Sequence, residues 1–413
     1  MQRDKTPPIL LFGYHSSLFT RKARLALHLL RLPTTYLTVP SMPPRRLLLR
    51  SFALPYRKIP VLCIGARDLY VDTTLITEAL ESRFAHRPRT LFPPDERGRT
   101  RRADQRLWTR FFADAPLFRT MTGVVPPRVW RSRFGADRGQ LVGHALDAGK
   151  LAAKVPRNIA QLDSWLSVLE EQVRAEEGGG GGEGRAEPPS PWLRGTARPA
   201  LADLALYAQL DWGLGIAVGA GVGDLTAGAA VDGCAAPDVL RSSSFDPASP
   251  AEREAAGENA RAREWLSGVW TPSRYPALWR WFHAFRAYVE ALPDLEEVVD
   301  GVSDGEKEKI VVEKMRGTGS EEVGLRESMV GEAARRGEGA MDEVIGLREG
   351  AEVVVTPDDT GRGDPTYGTL LATSPEEVVI KPRTIGDEPP LVDVRVHFPR
   401  MGFVVRPVAE AML

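Results

Sequence analysis

Within its first 80 residues the chain switches hydrophobic period repeatedly, and few folds accept the order in which it does so. Ile9 to Phe12 is a short apolar run after Pro7-Pro8, suited to a buried strand. Gly13-Tyr14-His15-Ser16-Ser17 is a turn with capping residues. Phe19, Ala23, Ala26, Leu27 and Leu30 then recur on one face of a helix that Pro33 closes. Tyr36 to Val39 reads as a second strand, and strand, helix, strand at this length implies a parallel, right-handed crossover. Residues 40–57 are rich in Pro, Arg and Leu and take no firm assignment. Ile59-Pro60 then introduces Val61 to Ile64. Gly65-Ala66 turns the chain, and Asp68 to Val71 pairs back as a hairpin. Asp72-Thr73-Thr74 supplies helix-start chemistry ahead of Leu75, Ile76, Ala79 and Leu80. The order β-α-β, then β-β-α, is that of a small sheet covered by helices.

The rest of the chain divides by composition. Residues 98–295 read as an all-helical domain. Asn158 to Val173 carries Ile159, Leu162, Trp165, Leu166 and Leu169 on one face, Leu201 to Trp212 is apolar, and Tyr275 to Leu292 is aromatic. Five consecutive glycines mark a flexible insertion at 177–190, and a Gly-, Ala- and Ser-rich stretch marks another at 213–262. Residues 296–340 read as a charged linker with partial helix. In 341–413, five short runs (Glu352 to Thr356, Thr366 to Ala372, Glu377 to Lys381, Val392 to His397, Gly402 to Arg406) predict a small all-β domain of unknown role, SH3-like or a barrel.

Of 413 residues, 54 are basic and 55 acidic. Residues 1–135 hold 25 of the former and 9 of the latter, leaving 29 and 46 behind them, so the front is basic and the back acidic. A basic front can attract an anionic small molecule or nucleic acid. It can equally be a solvated surface, or one that meets the acidic half. It lacks the interleaved aromatic and basic strands that nucleic-acid binding favours. Two cysteines, Cys63 and Cys234, exclude a disulfide scaffold and fit a reducing compartment. No apolar run reaches the roughly 18 residues needed to span a bilayer. No signal-peptide core opens the chain. A soluble, cytoplasmic protein with no membrane contact is expected. Six scattered histidines lack ligand spacing, so no metal site is predicted.

Four features of residues 1–90 converge on one ligand chemistry. Ser17 opens the first helix, where free N–H groups and about half a positive charge favour an anion. A hydroxyl there can donate to a ligand's thiolate and lower its pKa. A cis-proline at Ile59-Pro60 presents the residue 59 backbone to an extended peptide. Asp72 suits an ammonium, and Thr73 with its helix start suits a carboxylate. Arg57 and Lys58 are placed to meet a second carboxylate. A tripeptide with a thiol, two carboxylates and an ammonium satisfies all four. Each residue also has a plainer reading. Ser17, Asp72 and Thr73 can be caps alone, Pro60 structural, and Arg57 and Lys58 solvated. Tyr14 and His15 are alternative donors, and Cys63 reads as buried filler.

The run from Tyr14 to Leu27 resembles the first loop and helix of the glutathione S-transferase superfamily, with Ser17 at the catalytic serine position and Leu18 where proline is usual. Arg57-Lys58-Ile59-Pro60-Val61-Leu62 resembles its cis-proline segment. Asp72-Thr73 matches its acidic-Ser pair. Pro199 to Leu204 resembles its buried capping segment, with Asp203 matching and Ala200 replacing the Ser/Thr cap. The resemblance implies an α/β thioredoxin-like N-terminal domain at 1–90, then the all-α transferase domain. The overall layout resembles a fungal subgroup with an added C-terminal domain. It also implies glutathione as substrate, gripped by Lys58, Ile59, Pro60, Asp72 and Thr73, with Ser17 catalytic. An apolar electrophile as co-substrate, a detoxification role and a homodimer are implied with it. The enzyme reading stands beside another: a non-catalytic binding or assembly module whose C-terminal β domain meets a partner.

Overall fold

The computed structural model describes residues 6–178, 190–227, 253–254, 257–316, 323–330 and 341–408. Its first unit follows the expected order with one helix added: β1 (Ile9–Gly13), α1 (Leu18–Leu29), β2 (Thr34–Thr38), α2 (Arg46–Phe52), β3 (Val61–Ile64), β4 (Asp68–Val71) and α3 (Thr73–Arg83). β1 and β2 are parallel, and β3 runs antiparallel to both β1 and β4. The strands are buried throughout because both faces of the sheet are covered. Ile9, Leu11, Leu62 and Ile64 enter the core shared with α1, α3 and the helical domain. Leu10, Phe12, Val61 and Cys63 enter a second core on the opposite face. Leu47, Leu48 and Phe52 of α2 close that second core, which gives the Pro-, Arg- and Leu-rich segment its structure. Cys63 is fully buried, and burial pushes its thiol up.

The helical domain follows. It comprises α4 (Arg102–Trp108), a π-helical stretch (Thr109–Leu117), α5 (Phe118–Thr122), α6 (Pro127–Arg131), α7 (Arg133–Val142), α8 (Ala148–Ala153), α9 (Val155–Gly178), α10 (Leu201–Ala217), α11 (Val222–Ala227), α12 (Ala260–Val269) and α13 (Pro276–Glu290). The half-complete capping segment forms as its sequence implies. Asp203 Oδ2 accepts the Ala200 N–H at 2.9 Å, while Oδ1 accepts from Leu193 N at 2.8 Å and from Trp281 Nε1 at 2.7 Å. Burial lifts this carboxyl to about 6. The glycine-rich insertion at 177–190 lies almost wholly outside the described residues. In the insertion expected at 213–262, residues 213–217 instead complete α10 and 222–227 form α11, while 228–252 lie outside the described residues.

The linker expected at 296–340 is corrected in its first half. Glu296–Val299 forms β5, parallel to β2, and α14 (Asp304–Arg316) packs on α2. The charges that suggested a linker are satisfied there. Arg24 pairs with Glu296, and buried Lys307 donates to the Thr38 carbonyl at 2.8 Å and to its hydroxyl at 3.0 Å. Val311 and Met315 enter the second core.

The strand-rich C-terminal region is present: β6 (Glu352–Pro357), β7 (Thr366–Thr373), β8 (Glu377–Pro382), β9 (Arg395–Pro399) and β10 (Phe403–Pro407). It continues the first sheet. β9 lies parallel to β4, so one sheet runs β10-β6-β7-β8-β9-β4-β3-β1-β2-β5. Val353, Val355, Leu370, Ile380, Val396 and Phe398 share a core with Leu10 and Phe12. The seam between β4 and β9 holds a buried polar cluster. His397 Nδ1 lies 2.9 Å from Glu377 Oε2, and its Nε2 lies 3.1 Å from Asp68 Oδ1. Asp68 also takes Arg83 at 3.1 Å and Arg395 at 2.7 Å, and the Tyr70 ring stacks on His397 at 4.3 Å.

Candidate functional site

Register brings three separate segments to one end of the sheet. Phe12 of β1 faces Val61 of β3, and Val61 faces Val71 of β4. The β1-to-α1 loop bearing Ser17, the Ile59-Pro60 pair that precedes β3, and the Asp72-Thr73 pair that follows β4 therefore emerge side by side. Ile59-Pro60 is cis, as the sequence predicts.

Ser17 caps α1. Its Oγ accepts the Thr20 N–H at 3.2 Å, and the residue is buried. The loop before it is clamped by the helical domain. Ser16 N and Oγ donate to Asp224 Oδ2 at 2.7 and 2.6 Å, and Trp212 Nε1 donates to the Ser16 carbonyl at 2.9 Å. Tyr14 packs with Val125, Val129, Phe134, Ile216, Val222 and Leu225, and Ile59 lies against this same apolar cluster. Cis-proline segment and Ser17 loop thus share a boundary. His15 turns away toward Asp300, its Nε2 3.3 Å from Oδ2, and its ring meets Tyr36 edge-on.

Asp72 sits at φ +69°, a region that non-glycine residues occupy at a cost of about 1–3 kcal/mol and often at functional sites. Its carboxylate accepts the Thr74 N–H at 2.9 Å and lies 3.6 Å from Arg110 Nη1. Thr73 Oγ1 accepts from Lys22 Nζ at 3.2 Å. Lys22 is itself fully buried and salt-bridged to Asp114 Oδ2 at 2.5 Å. Asp114 belongs to the π-helical stretch, a feature frequent at functional sites. Burial raises the Asp114 carboxyl, an effect that the Lys22 charge only partly offsets.

The two basic residues are not left to solvent. Lys58 Nζ meets Asp359 Oδ1 at 2.5 Å. Arg57 donates to the Asp137 carboxylate and carbonyl at 2.6 and 2.9 Å, and to Asp364 Oδ2 at 3.1 Å. The structure therefore gathers Ser17, Ile59, Pro60, Asp72 and Thr73 at one sheet end, and it places Lys58 beside them in an ion pair with the C-terminal region. Sequence reasoning missed Lys22, Asp114 and Arg110. Only Lys22 carried a local signal, a charge three residues beyond Phe19 and four before Ala26 on the apolar stripe of α1. Among the described residues, no group of His, Cys, Asp and Glu is arranged to hold a metal ion, and no helix is long and apolar enough to cross a membrane.

A family model of the glutathione S-transferase N-terminal domain matches residues 11–88, the segment that carries this geometry. Over residues 11–88 the chain is thus similar to the N-terminal domain of glutathione S-transferases. A GST-like protein from Pseudomonas syringae has a similar structure, 21% identical with a TM-score of 0.53, over 97% of this chain and 99% of that one. This GST-like fold therefore extends beyond the N-terminal domain. Other similar structures include rice GST1 in complex with glutathione (19% identical, TM-score 0.39, 77% and 100% covered) and a Tau class transferase from mango (16%, 0.40, 74% and 98%). No curated protein matches the chain.

Proposed function

We propose that this GST-like protein binds glutathione across the sheet end described above, and that Ser17 stabilises its thiolate for transfer to an apolar electrophile held by the helical domain. The observation that carries the reading is the convergence of Ser17, Ile59 and Asp72-Thr73, fixed by the register Phe12–Val61–Val71. Each group has a role the chemistry allows. The Ser17 oxygen accepts from Thr20, which leaves its own hydrogen to donate to sulfur. That bond and the positive end of α1 favour thiolate over thiol. Sulfur then attacks the electrophilic carbon, the C–S bond forms, and the leaving group departs with its electron pair. Thr73 accepts from Lys22, which leaves its own hydrogen to donate to the γ-glutamyl carboxylate. Asp72 receives the ammonium, and the Ile59 backbone pairs with the extended cysteinyl unit.

Ser17→Ala is the test, read as conjugation of a generic aromatic electrophile. Loss of the donor is expected to raise the bound thiol's pKa by one or two units and to cut turnover near neutral pH by about 10–100-fold. The alkaline shift of the pH profile should match, with glutathione affinity within twofold of wild type. Unchanged turnover and pH profile overturn the catalytic role. A second reading, a non-catalytic platform, is favoured by the ion pairs that occupy Lys58 and Arg57. It predicts binding without turnover in both proteins.

A further inference from the structure

The loop between β6 and β7 brings acidic groups from the C-terminal region onto the basic pair of the N-terminal domain. Asp359 lies 2.5 Å from Lys58 Nζ, and Asp364 lies 3.1 Å from Arg57 Nη1. The bases are the more enclosed members. Side-chain exposure is 24% for Lys58 and 10% for Arg57, against 62% for Asp359 and 35% for Asp364. The carboxylates thus reach inward from solvent to fixed cations. The loop is anchored by the Asp358 N–H donating to the Gly402 carbonyl at 2.9 Å and the Gly361 N–H donating to the Leu141 carbonyl at 2.7 Å, with Arg362 bonding the Asp358 carbonyl within the loop. Gly361 adopts φ +79°, a turn for which glycine is suited. Lys58 outweighs burial and holds the Asp359 carboxyl below its ordinary range, so the loop stays charged at neutral pH.

We infer that Asp359 and Asp364 are specificity-determining residues that occupy, as internal carboxylates, the positions where a bound ligand's second carboxylate meets Lys58 and Arg57. This rests on the glutathione reading above and deepens it. The glycyl carboxylate of glutathione has to displace Asp359, while a ligand with that end neutralised binds without the exchange. Arg57 keeps Asp137 throughout, so the exchange centres on Lys58. The loop therefore levels the affinity for glutathione and for analogues that lack the glycyl charge, which a site with a free Lys58 would separate. Asp359 is mostly exposed and Arg57 keeps its pair with Asp137, so replacing these carboxylates by amides of the same shape should leave the fold intact.

The experiment is a calorimetric titration of the full-length protein with glutathione and with its glycyl monoethyl ester, for wild type and for the Asp359→Asn/Asp364→Asn variant. Wild type is expected to bind the two ligands within about twofold of each other. The variant should bind glutathione about tenfold more tightly than wild type, with the ester unchanged, and adding Lys58→Met should abolish that gain. Equal glutathione affinity in wild type and variant overturns the inference and leaves glutathione binding standing. So does a variant that gains equally for both ligands, since that marks a steric cover and not a charge competitor. Failure of every protein to bind either ligand removes the glutathione reading and this inference together.

Discussion

Replacing Lys22 by methionine is expected to lower the unfolding free energy by about 3–5 kcal/mol, because it strands a buried carboxylate. Lys22 and Asp114 are the two halves of a pair closed off from water between α1 and the π-helical stretch. With the ammonium gone, Asp114 keeps only the weaker influence of the Arg110 charge, and burial drives its carboxyl further up. The sign of the pH dependence follows. A carboxyl with a raised folded pKa binds more protons in the native state, so the variant should lose stability as pH rises above the ordinary Asp value of 3.8. It should recover part of the loss in acid. Lys22→Met/Asp114→Leu removes both charges and should regain most of the deficit, since a buried ion pair is often replaceable by apolar packing. Urea unfolding at several pH values measures all three. A Lys22→Met loss below about 1 kcal/mol would mean that the pair is solvated. Because Lys22 also donates to Thr73, the double variant should fold and yet bind the γ-glutamyl end more weakly.

His397→Leu should be comparably damaging, by about 3–5 kcal/mol, and it should also change the shape of the pH profile. Burial opposes a charge on His397. The hydrogen bonds and charges of Asp68 and Glu377 outweigh it and raise the imidazolium pKa above its ordinary 6.5. Its contribution is therefore complete below 6.5 and is lost as pH rises through the raised value. Asp68 behaves in the opposite sense. Burial raises its pKa, but His397, Arg395 and Arg83 prevail and lower it. Its contribution is present above 3.8 and is lost as pH falls through the lowered value. Wild type should hold a stability plateau between about pH 4 and 6.5 and decline on the alkaline side, and His397→Leu should lack that decline. Thermal or urea unfolding across pH 4–9 reads this. A wild-type profile flat from 6 to 9 would show that His397 stays neutral in the fold. The cluster sits where β9 joins β4, so the loss should separate the C-terminal strands from the first sheet.

The contrast between what could be read from residue order and what could not is a contrast of range. The β-α-β-β-β-α series was legible because its apolar periods are local, and Asp203 was legible because its cap lies three residues from Ala200. The strand at 296–299 was not, since four residues with two glutamates show no apolar period, and the partners that satisfy them, Arg24 for Glu296 and Thr35 with Lys314 for Glu297, lie in other parts of the chain. α2 was hidden for a related reason: seven residues are too few to display a helical face. Ser17, Ile59, Pro60, Asp72 and Thr73 could be proposed as site residues from sequence because each sits at the end of a local element. Asp359 and Asp364 were invisible, since nothing near Lys58 in sequence points to a partner some 300 residues away.

Whether the sheet end around Ser17, Ile59 and Thr73 is a glutathione site is decided most directly by one calorimetric series. The intact wild-type chain is titrated with glutathione and with an analogue lacking the γ-glutamyl amino group. Saturable binding at one site per chain is expected, with the analogue at least tenfold weaker because Asp72 loses its ammonium partner. No saturable heat at millimolar glutathione, or equal affinity for the two ligands, would contradict the assignment.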